Sequence, residues 1–170
     1  MKSAAIVAIL ALAAVGTTAA GPRQARLEQR NAQGPRELVY GADRLQRLDY
    51  WRGADSNAPL VVFVHGGGWK RGDKRMMVGS AKLTHWQAQG YAVASVNYRL
   101  VPDATVEQQA ADVAAAVGYL KANARMIGFD GQRIVLVGHS AGVHLAALVG
   151  TDPQWLRGAE ARTGEALQAA

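Results

Sequence analysis

The chain of 170 residues contains no cysteine. This absence excludes disulfide bonds, thiolate metal sites, a cysteine nucleophile and a lipoprotein anchor. Charged residues are also sparse, at 19%, whereas hydrophobic residues make up 49%. That balance is typical of a globular chain and not of a disordered one. The length is sufficient for one domain with a buried core.

The acidic residues are outnumbered, and the formal net charge is +6. Such an excess can indicate a nucleic-acid partner or an anionic surface. The arginines, however, are scattered between Arg23 and Arg52 and are mixed with acidic residues. The only local cluster is Lys70–Arg75, which we interpret as a solvated loop. We therefore expect no nucleic-acid partner.

The first twenty residues have the pattern of a secretory signal peptide. Lys2 is followed by the uncharged apolar run Ala4–Val15, and small residues, Thr18-Ala19-Ala20, precede Gly21. The run is too short for a bilayer span, which needs about 20 apolar residues. We expect cleavage after residue 20 and a secreted or periplasmic protein with no membrane span. An uncleaved N-terminal anchor is the alternative.

After a polar, flexible lead-in over residues 21–36, residues 37–170 are expected to form the folded domain. Alternating apolar residues in Arg44–Trp51 predict a half-buried strand near a sheet edge. Continuous apolar runs predict strands buried on both faces, as in a parallel sheet; they are Leu60–Val64, Tyr91–Val96 and Ile134–Val137.

Helical stretches separate these strands: Met76–Gln89, Thr105–Ala124 and a helix from Ser140 through Val149. Gly90 is expected to close the first helix, and Asp103 or Thr105 to cap the second. The alternation predicts an α/β fold, an open, mostly parallel sheet with helices on both faces. Functional loops in such sheets follow the carboxyl ends of the strands.

The sequence Gly138-His139-Ser140-Ala141-Gly142 directly follows a predicted strand and opens a predicted helix. A serine at such a tight turn has strained backbone angles, so that small residues are needed two positions before and after it. The turn exposes the hydroxyl of Ser140 and directs the first amides of the helix to the same place. We predict that Ser140 is a nucleophile; an ordinary glycine-rich turn is the alternative.

A second glycine-rich stretch, His65-Gly66-Gly67-Gly68-Trp69, follows the strand Leu60–Val64. Acyl transfer builds negative charge on a carbonyl oxygen, which backbone N–H groups stabilise. We expect Gly67, Gly68 and Ala141 to supply these donors as an oxyanion hole. A phosphate-binding loop is the rival, but neither of its usual glycine patterns is present.

Together with Asn97–Leu100 and Pro102-Asp103, these two motifs resemble the hormone-sensitive-lipase-like branch of the α/β-hydrolases. Within it, the chain is similar to bacterial carboxylesterases of the feruloyl/acetyl-esterase and kynurenine-formamidase-like group, over about residues 45–157. The resemblance implies hydrolysis of small esters or aryl formamides through an acyl-enzyme on Ser140, with no cofactor and no metal.

The chain departs from this family in its catalytic triad, which runs Ser, then Asp or Glu, then His. After Ser140 the only histidine is His144, which a helix would carry away from the hydroxyl. We expect His139 to shape the site, His65 to brace the glycine loop and His85 to have no role. Trp69 either lines a substrate pocket or packs the loop. Residues 37–170 then read as a truncated α/β-hydrolase domain with little or no turnover.

In the family, the acid and base come from loops after later strands, which are absent here. Without those strands, Ile134–Val137 would have an open, apolar edge, which invites pairing with another chain. The alternative function is therefore a non-catalytic half-domain. It would self-associate or bind a complementary chain that carries the missing Asp and His.

Overall fold

The fold is described from a computed structural model over residues 34–159, together with Gly21, Pro22, Ala25 and Gln29. The predicted signal peptide, most of the lead-in and residues 160–170 lie outside the described residues. The strands are β1 (Arg36–Val39), β2 (Arg47–Trp51), β3 (Leu60–Val64), β4 (Ala92–Val96) and β5 (Ile134–Gly138). The helices are α1 (Ala81–Ala88), α2 (Val106–Ala122), α3 (Ala124–Ile127) and α4 (Ala141–Thr151), with a 3-10 turn at Lys74–Met77. Residues 153–159 are also helical.

The five strands form one open sheet in the order β1-β2-β4-β3-β5. β3 is parallel to both β4 and β5, whereas β2 pairs antiparallel with β1 and β4. The carboxyl ends of the three parallel strands lie at one edge of the sheet, where the two glycine-rich loops begin. The predicted open α/β sheet is confirmed, with an antiparallel hairpin added at one side.

Helices cover both faces of this sheet, as predicted. On one face Leu60 and Val62 of β3 pack with Leu120 of α2. On the other face Phe63 packs with Leu83 of α1. Because side chains alternate along a strand, one buried strand serves both layers. β3 and β4 are buried at every position, as their continuous apolar runs predict.

Two of the burial predictions are wrong. β5 was expected to be buried on both faces, but Val135 is 49% exposed. Within the described residues β5 has a ladder partner only in β3, so nothing covers its outer edge. β2 lies near an edge, as predicted, but it was expected to be half-buried and its last four residues are buried, because β1 pairs with its outer side.

The helix predicted over Met76–Gln89 begins later, at Ala81. Gly79 has a φ of 69°, which interrupts the helix after the 3-10 turn. Ser80 then caps α1 by accepting a hydrogen bond from the backbone N–H of Leu83. Gly90, with a φ of 91°, follows its last turn as predicted.

The prediction for α2 is accurate. Thr105 is its N-cap and forms a capping box with Gln108, in which each side chain binds the other residue's backbone N–H. The elbow helix α4 continues to Thr151. None of the described helices combines the length and apolar character that crossing a bilayer requires.

Candidate active site

Ser140 lies at the turn between β5 and α4, and its backbone is strained. Its φ is 53° and its ψ is −119°, a conformation that residues other than glycine rarely adopt. The turn is held on both sides: the His139 N–H donates to the Val64 carbonyl (3.1 Å), and the Val143 N–H donates to the Ser140 carbonyl (2.9 Å). Although Ser140 is the N-cap residue, its hydroxyl makes no cap hydrogen bond. The Ser140 side chain is exposed at this turn.

The glycines two residues before and after Ser140 have no room for a side chain. A Cβ on Gly138 would overlap the carbonyl of Gly142. A Cβ on Gly142 would overlap the carbonyl of Val64 and would lie 2.6 Å from the carbonyl oxygen of His65. The elbow thus packs directly on the end of β3, and the size requirement inferred from the sequence has a structural cause.

The loop His65–Trp69 passes beside the elbow. A Cβ on Gly66 would lie 3.1 Å from the Cβ of Ser140 and 2.6 Å from the carbonyl oxygen of His139. Gly67 and Gly68 have φ values of 134° and 61°, in the region that favours glycine. The loop closes as a tight turn, because the N–H groups of Lys70 and Arg71 both donate to the Gly67 carbonyl.

The backbone N–H groups of Gly67, Gly68 and Ala141 donate no hydrogen bond within the described part of the chain. Gly142, by contrast, uses its N–H on the His139 carbonyl at 2.9 Å. Ala141 directly follows Ser140, and Gly67 and Gly68 follow Gly66, the glycine that packs against the Ser140 side chain. Free amides at a helix start and a glycine turn favour an anion.

His65 braces the glycine loop from within the core. It is 1% exposed, and its Nδ1 donates to the Gly66 carbonyl at 2.9 Å. Its ring stacks on Tyr98 with 4.4 Å between centroids, and the Tyr98 hydroxyl donates to the His65 carbonyl at 2.8 Å. Burial lowers the pKa of His65, so the imidazole is neutral near pH 7.

Trp69 connects the loop to two helices. Its φ is 61°, and its carbonyl accepts hydrogen bonds from the Val101 N–H and the Gln109 side chain, both at 2.9 Å. Its ring meets His144 of α4 edge-on, with 5.8 Å between centroids. The indole Nε1 is buried and has no hydrogen-bond partner among the described residues. Trp69 therefore packs the loop against α4, one of the two roles left open by the sequence.

A buried polar network behind the loop was missed by the sequence analysis. The Asn97 side chain accepts from the Lys74 N–H at 2.5 Å and donates to Asp73 at 3.1 Å. Lys74 was assigned to a solvated cluster, which is wrong: it is 8% exposed and pairs with Asp49, and with Glu37 at 2.8 Å. The two carboxylates compensate the buried charge.

Arg99 adds a second part of this network. It forms a two-pronged ion pair with the buried Asp112, at 2.9 and 2.7 Å, and Gln46 donates to the same carboxylate. The sequence offered one signal for both parts, the polar run Asn97-Tyr98-Arg99 at the end of an apolar strand. These residues hold the end of β4 and the segment that follows the glycine loop.

No histidine is hydrogen-bonded to Ser140 or to a carboxylate within residues 34–159. His85 and His139 are exposed, and His65 is held by the Gly66 carbonyl. His144 is exposed beside Trp69. Hydrogen bonds at the start of α2 lower the pKa of Glu107, and the charge of His144 lowers it further. The site thus has a candidate nucleophile and candidate oxyanion donors, but no base among the described residues.

Residues 49–162 match the family model BD-FAE. The chain is 39% identical to Esterase LipC of Mycobacterium tuberculosis over 126 residues, which are 71% of this chain and 31% of LipC. It is 34% identical over 148 residues to Carboxylesterase NlhH of the same species, covering 78% of this chain and 46% of NlhH. The chain therefore spans less than half the length of these curated relatives.

Solved esterase structures have the same fold. A thermophilic esterase of Thermogutta terrifontis matches with a TM-score of 0.61 and 29% identity, over 67% of this chain and 43% of the esterase. Esterase B of Lactobacillus rhamnosis matches with a TM-score of 0.61 and 32% identity, over 74% of this chain and 43% of that protein.

Proposed function

Because the chain belongs to the BD-FAE family, in the hormone-sensitive-lipase-like branch of the α/β-hydrolases, we propose that it carries the nucleophile half of a carboxylesterase site for small esters. The observation that carries this proposal is the environment of Ser140. Ser140 is exposed at a strained turn beside the glycine loop, and the N–H groups of Gly67, Gly68 and Ala141 have no hydrogen-bond partner among the described residues.

In this proposal the Oγ of Ser140 attacks the ester carbonyl carbon, and the carbonyl π electrons move to the oxygen. The three N–H groups stabilise the resulting oxyanion, each donor contributing about 3 kcal/mol. Collapse of the tetrahedral intermediate expels the alcohol, which takes up the proton released by the serine. Water then hydrolyses the acyl-enzyme and releases the carboxylic acid.

The attack is expected to be slow, because a serine hydroxyl needs a general base and none is found among the described residues. An oxyanion hole and substrate binding alone retain about 10³–10⁴-fold acceleration over water in a serine protease stripped of its triad. We therefore expect weak turnover by this chain.

The assay is hydrolysis of p-nitrophenyl acetate by the full chain, by Ser140→Ala and by Ser56→Ala as a matched control. Ser56 is exposed in the turn between β2 and β3, away from the two glycine loops. Weak hydrolysis lost only in Ser140→Ala supports the proposal. Equal rates in all three contradict the role of Ser140, and fast turnover that needs Ser140 contradicts the proposed lack of a base.

A non-catalytic half-domain is the second candidate, and the edge of β5 favours it. Val135 on β5 and Val143 on α4 are 49% and 52% exposed, and β5 has an unpaired side within the described residues. An exposed apolar edge of this kind pairs readily with another strand. A second copy or a complementary chain with the missing Asp and His would pair there.

Light scattering after gel filtration tests the self-associating form, with Val135→Lys as the probe and Val39→Lys as the control. Val39 lies on the opposite edge strand β1 and is 50% exposed. A dimer that dissociates only in Val135→Lys supports pairing through β5. A monomer whose esterase activity is unaffected by either change, with no chain co-purifying at equal amounts, contradicts it.

We also propose that residues 1–20 export the protein to the periplasm or the medium. The basis is the charged start, the apolar run and the small residues before Gly21. N-terminal sequencing of the protein expressed in a bacterium is the test. Export with Gly21 as the first residue supports cleavage, and a membrane-bound chain that begins at Met1 supports the anchor.

A further inference from the structure

A cleft of about 350 Å³ opens at the end of the sheet opposite to Ser140. It is lined by Gly34, Arg36, Tyr50, Trp51, Arg52, Gln87 and Ile127. Trp51 pairs with Val93 near the start of β4, whereas Ser140 follows the carboxyl end of the parallel strand β5. The cleft is therefore separate from the esterase site, and the proposed function does not use it.

Two arginines on one face of the β1–β2 hairpin dominate this cleft. Arg36 is directly opposite Tyr50 in the strand register, and Arg52 is two residues beyond Tyr50, on the same face. Diagonal neighbours in such a pair have Cβ atoms about 7–8 Å apart. Both arginines are exposed, and neither forms an ion pair within the described residues.

The ring of Tyr50 lines the cleft together with the two arginines. The Arg36 Cζ lies 5.9 Å from the centroid of the Tyr50 ring. Burial raises the pKa of Tyr50 to about 12, and the charges of Arg52 and Arg36 oppose that rise. The Tyr50 hydroxyl donates to the Gly128 carbonyl at 3.2 Å. Arg52 lies over Gly128, where an added Cβ would be 3.6 Å from its Nη2.

The remaining lining contributes no negative charge. Trp51 and Ile127 are buried apolar residues, and Gln87 is 2% exposed. The side-chain oxygen of Gln87 has no hydrogen-bond partner in the described part of the chain, which is unusual for a buried polar atom. The cleft thus combines an aromatic wall with two arginines that have no ion-pair partner among the described residues.

We propose that this cleft binds a small oxyanion, a phosphate or carboxylate group, held between Arg36 and Arg52. Like charges on neighbouring strands are destabilising, and a bound anion converts that repulsion into attraction. The guanidinium fork matches the paired oxygens of a phosphate or carboxylate, so two arginines provide geometric selection as well as charge.

Isothermal titration of the full chain with inorganic phosphate, and separately with benzoate, tests the site at an ionic strength fixed with sodium chloride. The variants are Arg36→Gln and Arg52→Gln. The matched control is Arg44→Gln, which removes the same charge at the turn of the same hairpin, away from the cleft. Ser140→Ala serves as a second control, because the esterase site must not contribute.

We expect saturable binding that is about tenfold weaker, or about 1.4 kcal/mol, in Arg36→Gln and in Arg52→Gln, and unchanged in Arg44→Gln and Ser140→Ala. Binding of phosphate alone identifies a phosphate-bearing ligand, and binding of benzoate alone a carboxylate. Absence of saturable binding of either anion overturns the proposal. Equal weakening by Arg44→Gln also overturns it, because the effect then comes from net charge alone.

Discussion

At the scale of single residues, the site depends on positions where no side chain fits. Gly138 and Gly142 let the elbow pack on the end of β3, and Gly66 brings the loop beside Ser140. The sequence predicted the two elbow glycines because a serine at a tight turn after a strand needs small residues two positions before and after it. Asn97 and Lys74 were not predicted, because a buried polar network depends on partners that are distant in sequence.

Gly142→Ala is expected to destabilise the protein by about 3 kcal/mol, the upper end of the usual cost of overpacking, because the new Cβ would overlap the backbone of Val64. Gly150→Ala in the same helix is the control. Its Cβ would be 3.9 Å from a Leu136 methyl group, which is an ordinary contact. Because alanine favours the helix more than glycine does, Gly150→Ala should raise the free energy of unfolding by about 1 kcal/mol. Urea unfolding measures both; a gain in Gly142→Ala contradicts the packing of the elbow.

Acidification is expected to weaken the fold through His65. Burial lowers its pKa in the folded state, so the unfolded chain binds more protons below about pH 6.5. This contribution to the free energy of unfolding is therefore fully present above that pH. It is lost as the pH falls towards the lowered pKa of His65, by at most about 1.4 kcal/mol per pH unit.

The measurement is urea unfolding at about pH 7.5 and about pH 5.5, on either side of the ordinary histidine pKa. In His65→Asn, which keeps a donor for the Gly66 carbonyl, the loss between the two pH values should shrink. His85 is exposed, so in the control His85→Asn the free energy of unfolding should decrease between the two pH values by as much as in the unaltered chain. Equal losses in all three proteins would contradict the role of His65.

At the scale of elements, the accuracy of prediction followed the local signals. α2 was predicted well because its apolar periodicity and its cap Thr105 agree. The start of α1 was missed because Gly79 interrupts a stretch whose composition favours helix. β1 was not predicted because Arg36–Val39 has only two apolar residues. The burial of β5 was overestimated because an apolar run does not reveal whether a neighbouring strand covers it.

Thr105→Ala is expected to cost about 1 kcal/mol, since the capping box at the start of α2 loses its hydroxyl acceptor. The control Thr84→Ala lies inside α1 on an exposed face, where its hydroxyl bonds the Ser80 carbonyl at a long 3.4 Å. There, alanine is the better helix former, so no loss is expected. Thermal unfolding of the two variants separates capping from a general effect of removing threonine; equal losses would contradict the cap.

At the scale of the whole molecule, the sheet separates two regions of different chemistry. The carboxyl ends of β3 and β5 bring Ser140 and the glycine loop together. At the opposite end, the cleft beside the β1–β2 hairpin holds two arginines that have no ion pair among the described residues. The described residues hold the proposed nucleophile and oxyanion donors, and among them β5 has a ladder partner on one side only. The topology therefore explains why Ser140 and the glycine loop lie together, whereas no base is found beside them among the described residues.

The central claim is that Ser140 is a nucleophile supported by an oxyanion hole. The most direct test is to incubate the full chain with a fluorophosphonate, which reacts at an activated serine, and to locate the adduct by peptide mass spectrometry. The account predicts slow formation of one adduct on Ser140, with none in Ser140→Ala and an unchanged rate in Ser56→Ala. Failure of Ser140 to react, or equal labelling after its replacement, would contradict the account.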